Sequence, residues 1–261
     1  MACWCLLVLN IINLTHENSM NTSHTLCASV LACLMVGCGG SPSEPTPTPT
    51  PTPTLALSSL QGIWRSPAGA ASTWSAIVLP DGKAWALISN ADSSRVIKAS
   101  FAVQGSAYLA SGNSFTLGST SRSSSSLSAS VVAQTSLTGI ISSATQSENF
   151  SLAYQVRYAS PAALRDFAGD WHATLGPGRV NWSISDAGLI SGTRSTGCSY
   201  AGLLSLRAEQ KAVVDVAVTE DCAGVLTQLK GVAVLSEDKL NVNMLLTNSD
   251  DSAAVALNLA H

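Results

Sequence analysis

From Leu55 onward the chain is written in short apolar alternations broken by Gly, Asn, Asp and Ser, with few stretches suited to a helix. Val180, Trp182 and Ile184 alternate with Arg179, Asn181, Ser183 and Ser185, and Asp186-Ala187-Gly188 then turns the chain. Leu240, Val242, Met244 and Leu246 alternate with Asn241, Asn243 and Thr247. Asn248-Ser249-Asp250-Asp251 makes the next turn, and Ala253, Val255, Leu257 and Leu259 return. A period of two gives each strand one buried and one wet face, the pattern of antiparallel hairpins. Counting such alternations predicts about eight strands in each half of the body. A meander of that kind removes its exposed edges by closing on itself. The expected fold class is therefore all-β, with two tandem antiparallel meander barrels of about eight strands each. A pair of sandwiches, or one larger pooled sheet, satisfies the same alternation.

The two halves look related. Gly62-Ile63-Trp64 and Gly169-Asp170-Trp171 open them, and the turn pairs Asp81-Gly82 and Ala187-Gly188 follow. Leu137-Thr138-Gly139-Ile140 and Leu229-Lys230-Gly231-Val232 then recur in the same order. The second offset is shorter than the first. The Ser-rich stretch from Ser119 to Ser130 accounts for the difference if it is a loop inserted in the first half. Segment 159–166 is the natural boundary, with a short helical turn.

Cys198 and Cys222 test the hairpin reading. If the chain turns at Gln210, Leu206 faces Val214, Leu204 faces Val216, Gly202 faces Val218 and Cys198 faces Cys222. All four pairs then fall on one side of the sheet, and a slip of one residue would destroy the agreement. Directly opposed Cβ atoms lie close enough for a disulfide with modest adjustment. Such a loop contributes about 3 kcal/mol in the chain-entropy model. A metal site would need further ligands, and the sequence offers none beside these two.

Composition narrows the function classes. Of 261 residues, 46% are hydrophobic and 11% charged, and the net charge is -3, which excludes a disordered charged tail. The 13 Lys and Arg are spread thinly without a cluster, so no nucleic-acid partner is expected. Past residue 55 no apolar run is long enough for a membrane-spanning helix. Only His172 and the terminal His261 lie beyond the N-terminal segment, too few for a multi-His metal site. His172 follows Trp171 on a candidate strand and faces outward if the Trp faces in. Gly-x-Ser-x-Gly, Gly-x-Gly-x-x-Gly, P-loop, EF-hand and His-Glu-x-x-His motifs do not occur. Glu220-Asp221, Glu237-Asp238 and Asp250-Asp251 fall at strand ends or turns and read as solvated charges. Trp64, Trp74, Trp85, Trp171 and Trp182 read as core rather than as a ligand cup. The expectation is no enzymatic activity, no catalytic residues, no metal and no cofactor. No ligand-binding residue is named by the sequence.

The first residues read as an address. Residues 1–54 hold no Lys or Arg, and an apolar run from Leu26 to Val36 closes on Gly37-Cys38-Gly39-Gly40. A run of that length ending in small residues is a signal-peptide core rather than a membrane span. Val36-Gly37-Cys38 resembles the lipobox of bacterial lipoproteins, in which the Cys is lipidated and becomes the new N-terminus. Met35 departs from the usual Leu, and the expected basic residues are missing, so Met20 is a candidate for the true start. The resemblance implies lipidation of Cys38 and, because Gly39 rather than Asp follows, the outer membrane of a Gram-negative bacterium. Five Pro-Thr pairs from Pro45 to Thr54 then form a polyproline II spacer of about 30 Å. Five of seven cysteines lie within the first 38 residues, which leaves Cys198 and Cys222 as a pair suited to an oxidising compartment. The domain reading is a signal peptide over 1–37, a lipidated Cys with Pro/Thr linker over 38–54, and barrels over 55–160 and 161–261.

Gly169-x-Trp171, followed by Ser183-Ile184, Gly188, Ile190 and Gly192-Thr193, resembles the opening strands of lipocalin- and avidin-like barrels. There a Trp plugs the barrel floor; the likeness covers some 25 residues and brings no ligand residues with it. Together these readings predict a lipid-anchored envelope protein, periplasmic or surface-exposed, with the membrane as one partner and a protein or small molecule as another. A carrier of a small apolar ligand and an envelope enzyme inhibitor are the alternatives.

Overall fold

The structure, a computed structural model, describes residues 55–261. Cys38, the expected signal peptide and the expected Pro-Thr linker lie outside the described residues. The body is all-β: two closed antiparallel barrels of eight strands each, in tandem. The first comprises β1 (Gly62–Arg65), β2 (Thr73–Val78), β3 (Lys83–Ser89), β4 (Ser94–Gln104), β5 (Ala107–Thr116), β6 (Arg122–Val132), β7 (Ser136–Ser142) and β8 (Ser147–Tyr154). The second comprises β9 (Gly169–Leu175), β10 (Gly178–Ile184), β11 (Leu189–Arg194), β12 (Cys198–Leu206), β13 (Val213–Cys222), β14 (Val225–Leu235), β15 (Asn241–Asn248) and β16 (Ala254–Ala260). Each strand pairs with its successor, and the last returns to the first. Trp64 opposes Tyr154 where β8 closes on β1, and Ala260 opposes His172 where β16 closes on β9.

The two floors are built alike. A 3-10 turn precedes each opening strand, at Leu57–Ser59 and at Leu164–Phe167. The Trp64 indole N–H donates to the Leu60 carbonyl at 2.9 Å, and the Trp171 indole N–H to the Phe167 carbonyl at 2.8 Å. Both rings are fully buried and close one end of their barrel. The hairpin turns at Gly82 and Gly188 match as well. Their φ angles are +83° and +82°, and their carbonyls accept from Phe101 and Leu204 on the strand beyond. A Cβ at either glycine would collide with a backbone carbonyl at 2.6–2.7 Å, so a side chain is excluded there by space as well as by φ.

Two sequence expectations are corrected. The Ser119–Ser130 stretch is not an inserted loop: most of it is β6, where Ser125, Leu127 and Ala129 are buried and Ser124, Ser126, Ser128 and Ser130 are exposed. Its period of two was masked by its composition. The motifs around Gly139 and Gly231 are not equivalent either, since Gly139 lies on the seventh strand of its barrel and Gly231 on the sixth. Both are glycine because a neighbouring strand crosses closely. A Cβ would lie 2.2 Å from the Ser128 carbonyl oxygen in one case and 1.9 Å from that of Leu245 in the other.

The barrels share a third apolar core between them. Ile63, Ile77, Trp85 and Val96 on the outer face of the first cluster with Val213, Val232, Val234 and Leu245 on the outer face of the second. These strands carry apolar residues on both faces, as in Ala76-Ile77-Val78 and Met244-Leu245-Leu246, because one face fills the lumen and the other fills the joint. Lys98 fastens the joint. Its Nζ lies 2.6 Å from Asp251 Oδ1 and 3.3 Å from Thr247 Oγ1, over the Trp85 ring at 5.1 Å. Arg122 donates to the Asp251 carbonyl at 2.8 Å. The connecting segment adds backbone bonds from Ala162 to Lys211 and from Ala212 to Tyr158. Tyr158 is buried there, and its phenol is pushed up to about 12 by burial and then by Glu209.

Candidate functional site

The register of β12 and β13 is the one the sequence implies. Cys198 opposes Cys222, Gly202 opposes Val218, Leu204 opposes Val216 and Leu206 opposes Val214. The two sulfurs are bonded, at an S–S distance of 2.02 Å. Gln210, at the turn, adopts φ +49°. Leu206 departs from the expected burial and is exposed, since it lies at the rim beside this turn. Glu220 lies near both cysteines, but sulfurs bonded to each other offer no thiolate to a metal.

Strand direction defines an open end in each barrel, opposite its Trp-plugged floor. In the second barrel this mouth is filled by the disulfide and by a polar cluster. The Tyr200 hydroxyl donates to Glu220 at 2.6 Å, Arg194 donates to the Leu175 carbonyl at 2.7 Å, and Arg194 Nη1 lies 3.6 Å from Glu220. Burial and the Glu220 hydrogen bond raise the Tyr200 phenol well above its ordinary range. Glu220 is thus a lumen residue, not the solvated turn charge the sequence suggested. Asp238 and Asp250 do sit in turns, and Asp221 lies at the end of β13; they accept from Leu240, Ser252 and Gly224 backbone N–H groups. Asp251 belongs to the joint between barrels. His172 is half-buried on β9, opposite Asn181 and Ala260.

The first barrel is different. Its lower lumen is packed, leaving an apolar cavity of about 30 Å³ beneath Trp74 and Phe150. Above it the mouth opens into a polar cavity of about 170 Å³. Arg95 from β4 and Glu148 from β8 form an ion pair across this mouth, each about one-quarter exposed. The other Glu148 oxygen accepts from the Trp74 indole N–H at 3.3 Å. Ser114 and Ser125 line the same cavity from adjacent β5 and β6. They are only 8% and 6% exposed; the buried side-chain atoms without a hydrogen-bond partner among the described residues are Tyr158 Oη, Trp182 Nε1 and Arg194 Nε. Thr116 continues the polar lining at the rim. All five described Trp residues are buried, as expected of core.

These mouth residues were invisible in the sequence. Arg95, Ser114, Ser125 and Glu148 are far apart along the chain, and only closure of β8 on β1 brings them to one opening. The one available signal was polar residues at inward-facing positions of otherwise apolar strands, Ser114 after Tyr108 and Ala110, and Ser125 before Leu127 and Ala129. Comparison with known proteins gives no relative: no family model, no curated protein and no solved structure matches this chain.

Proposed function

We propose that this chain is a non-enzymatic protein of the bacterial envelope, held to the outer membrane by a lipid on Cys38, whose paired barrels act as a binding module. The anchor rests on Val36-Gly37-Cys38 and on the Pro-Thr spacer that follows. The binding reading is carried by one observation above all: the interiors are used for packing, and the groups free to engage a ligand or partner lie at the mouths and on the outer faces. A lower lumen of about 30 Å³ holds a single water, which speaks against a carrier of apolar ligands. Detergent-phase partitioning of cell extracts tests the anchor. The wild-type chain enters the detergent phase and a Cys38→Ala variant stays in the aqueous phase; equal partitioning of the two would contradict it.

A further inference from the structure

We propose that the mouth of the first barrel is a binding site for a small neutral polyol about the size of one hexose. The size follows from the cavity. About 170 Å³ corresponds to roughly six waters at their share of liquid volume, room for one ring bearing hydroxyl groups and too little for an oligosaccharide.

The charge state follows from the ion pair. Arg95 and Glu148 already neutralise each other, so the opening favours neither an anion, which would meet the Glu148 carboxylate, nor a cation, which would meet the guanidinium. Their pairing leaves most of the Arg95 N–H donors unused among the described residues, in the planar fork that suits adjacent hydroxyl oxygens. Glu148 is held in place from below by the Trp74 indole.

The hydrogen-bonding character follows from the serines. Ser114 and Ser125 place hydroxyls on the wall of this cavity, at inward positions where their strands otherwise carry apolar residues. Each can donate and accept, and a ligand hydroxyl does the same. Thr116 adds a third such group at the rim. The second barrel, with the same topology, spends its mouth on a disulfide and on Tyr200 and keeps no equivalent serine pair. The assignment rests on this geometry and not on the anchor, so loss of acylation and loss of ligand binding are read separately.

The test is ligand-observed saturation-transfer NMR and calorimetry on the full chain with D-glucose, D-galactose, D-mannose and glycerol, with acetate and lysine as charged probes. At least one hexose binds the wild-type protein. In the Ser114→Ala/Ser125→Ala variant binding weakens about tenfold or more, while thermal stability changes little, because the two changes remove only hydroxyls on the cavity wall. Thr116→Val, at the exposed rim, weakens binding by several-fold and leaves the fold intact even if the double variant is unstable. Absence of hexose binding to folded wild-type protein, undiminished affinity in the variants, or binding of acetate or lysine alone would overturn the proposal.

Discussion

Replacing the floor tryptophans tests both the duplicated architecture and the joint between barrels. Trp171→Phe removes an indole N–H that donates to the Phe167 carbonyl at 2.8 Å in a fully buried setting. The orphaned carbonyl costs about 1–3 kcal/mol. The smaller ring also leaves unfilled the space of about two buried carbons, or roughly 1.5 kcal/mol more. The total is about 2.5–4.5 kcal/mol. For a body of this size each kcal/mol lowers Tm by roughly 2–4 °C, so Trp171→Phe falls by about 5–18 °C. Trp64→Phe removes the matching bond to Leu60 at 2.9 Å and falls by a similar amount. The assay is thermal unfolding followed by circular dichroism. Because Ile63, Trp85, Val232 and Leu245 bury one shared cluster, both variants shift the same single transition. A shift of less than about 2 °C would refute the energetic reasoning. A transition moved by one variant and untouched by the other would refute the shared joint.

Three further outcomes follow from the same geometry. Replacing Cys198 and Cys222 together by Ser frees a loop with a sequence separation of 24 and lowers stability by about 3.5 kcal/mol in the chain-entropy model. Matching denaturant midpoints for variant and wild type would contradict it. Gly231→Ala places a Cβ 1.9 Å from the Leu245 carbonyl oxygen and costs at least about 2 kcal/mol. Gly197→Ala, with open space around it, costs only about 1 kcal/mol for its positive φ, and denaturant melts that rank the two the other way would count against the crossing geometry. The Asp251 carboxyl is held below its ordinary range: burial opposes ionisation, but hydrogen bonds from Lys98 and Thr247 and the charges of Lys98 and Arg122 outweigh it. A depressed folded-state value gives stability that is present above the unfolded value of about 3.9 and is lost as pH falls through the folded one. Asp251→Asn therefore flattens the acid limb of the stability profile below about pH 4, and superimposable acid limbs would be the contrary result.

What could be read from the sequence was whatever a period of two records. The β12–β13 register was legible because Leu204, Val216, Val218 and the cysteines share one parity, and a slip would have moved all of them to the wrong face. The Ser-rich β6 was missed because serine is a turn residue by composition, although Leu127 and Ala129 already marked its buried face. Gln134, Gln210 and Ala223 turn the chain at positive φ, and no side chain of those types announces it. The joint was legible only as strands apolar on both faces, such as Met244-Leu245-Leu246, which look the same whether the second face meets a partner sheet or another layer. The mouth of the first barrel escaped entirely. Its residues come from four strands, and their meeting is a property of closure rather than of local pattern.

Lipid anchoring is decided by the chemical state of Cys38. Intact mass of the mature protein from a bacterial membrane fraction, beside a Cys38→Ala variant, measures it. The prediction is a wild-type chain beginning at Cys38 and carrying acyl additions that the variant lacks. A wild-type chain with no acyl addition would contradict the lipid-anchored reading.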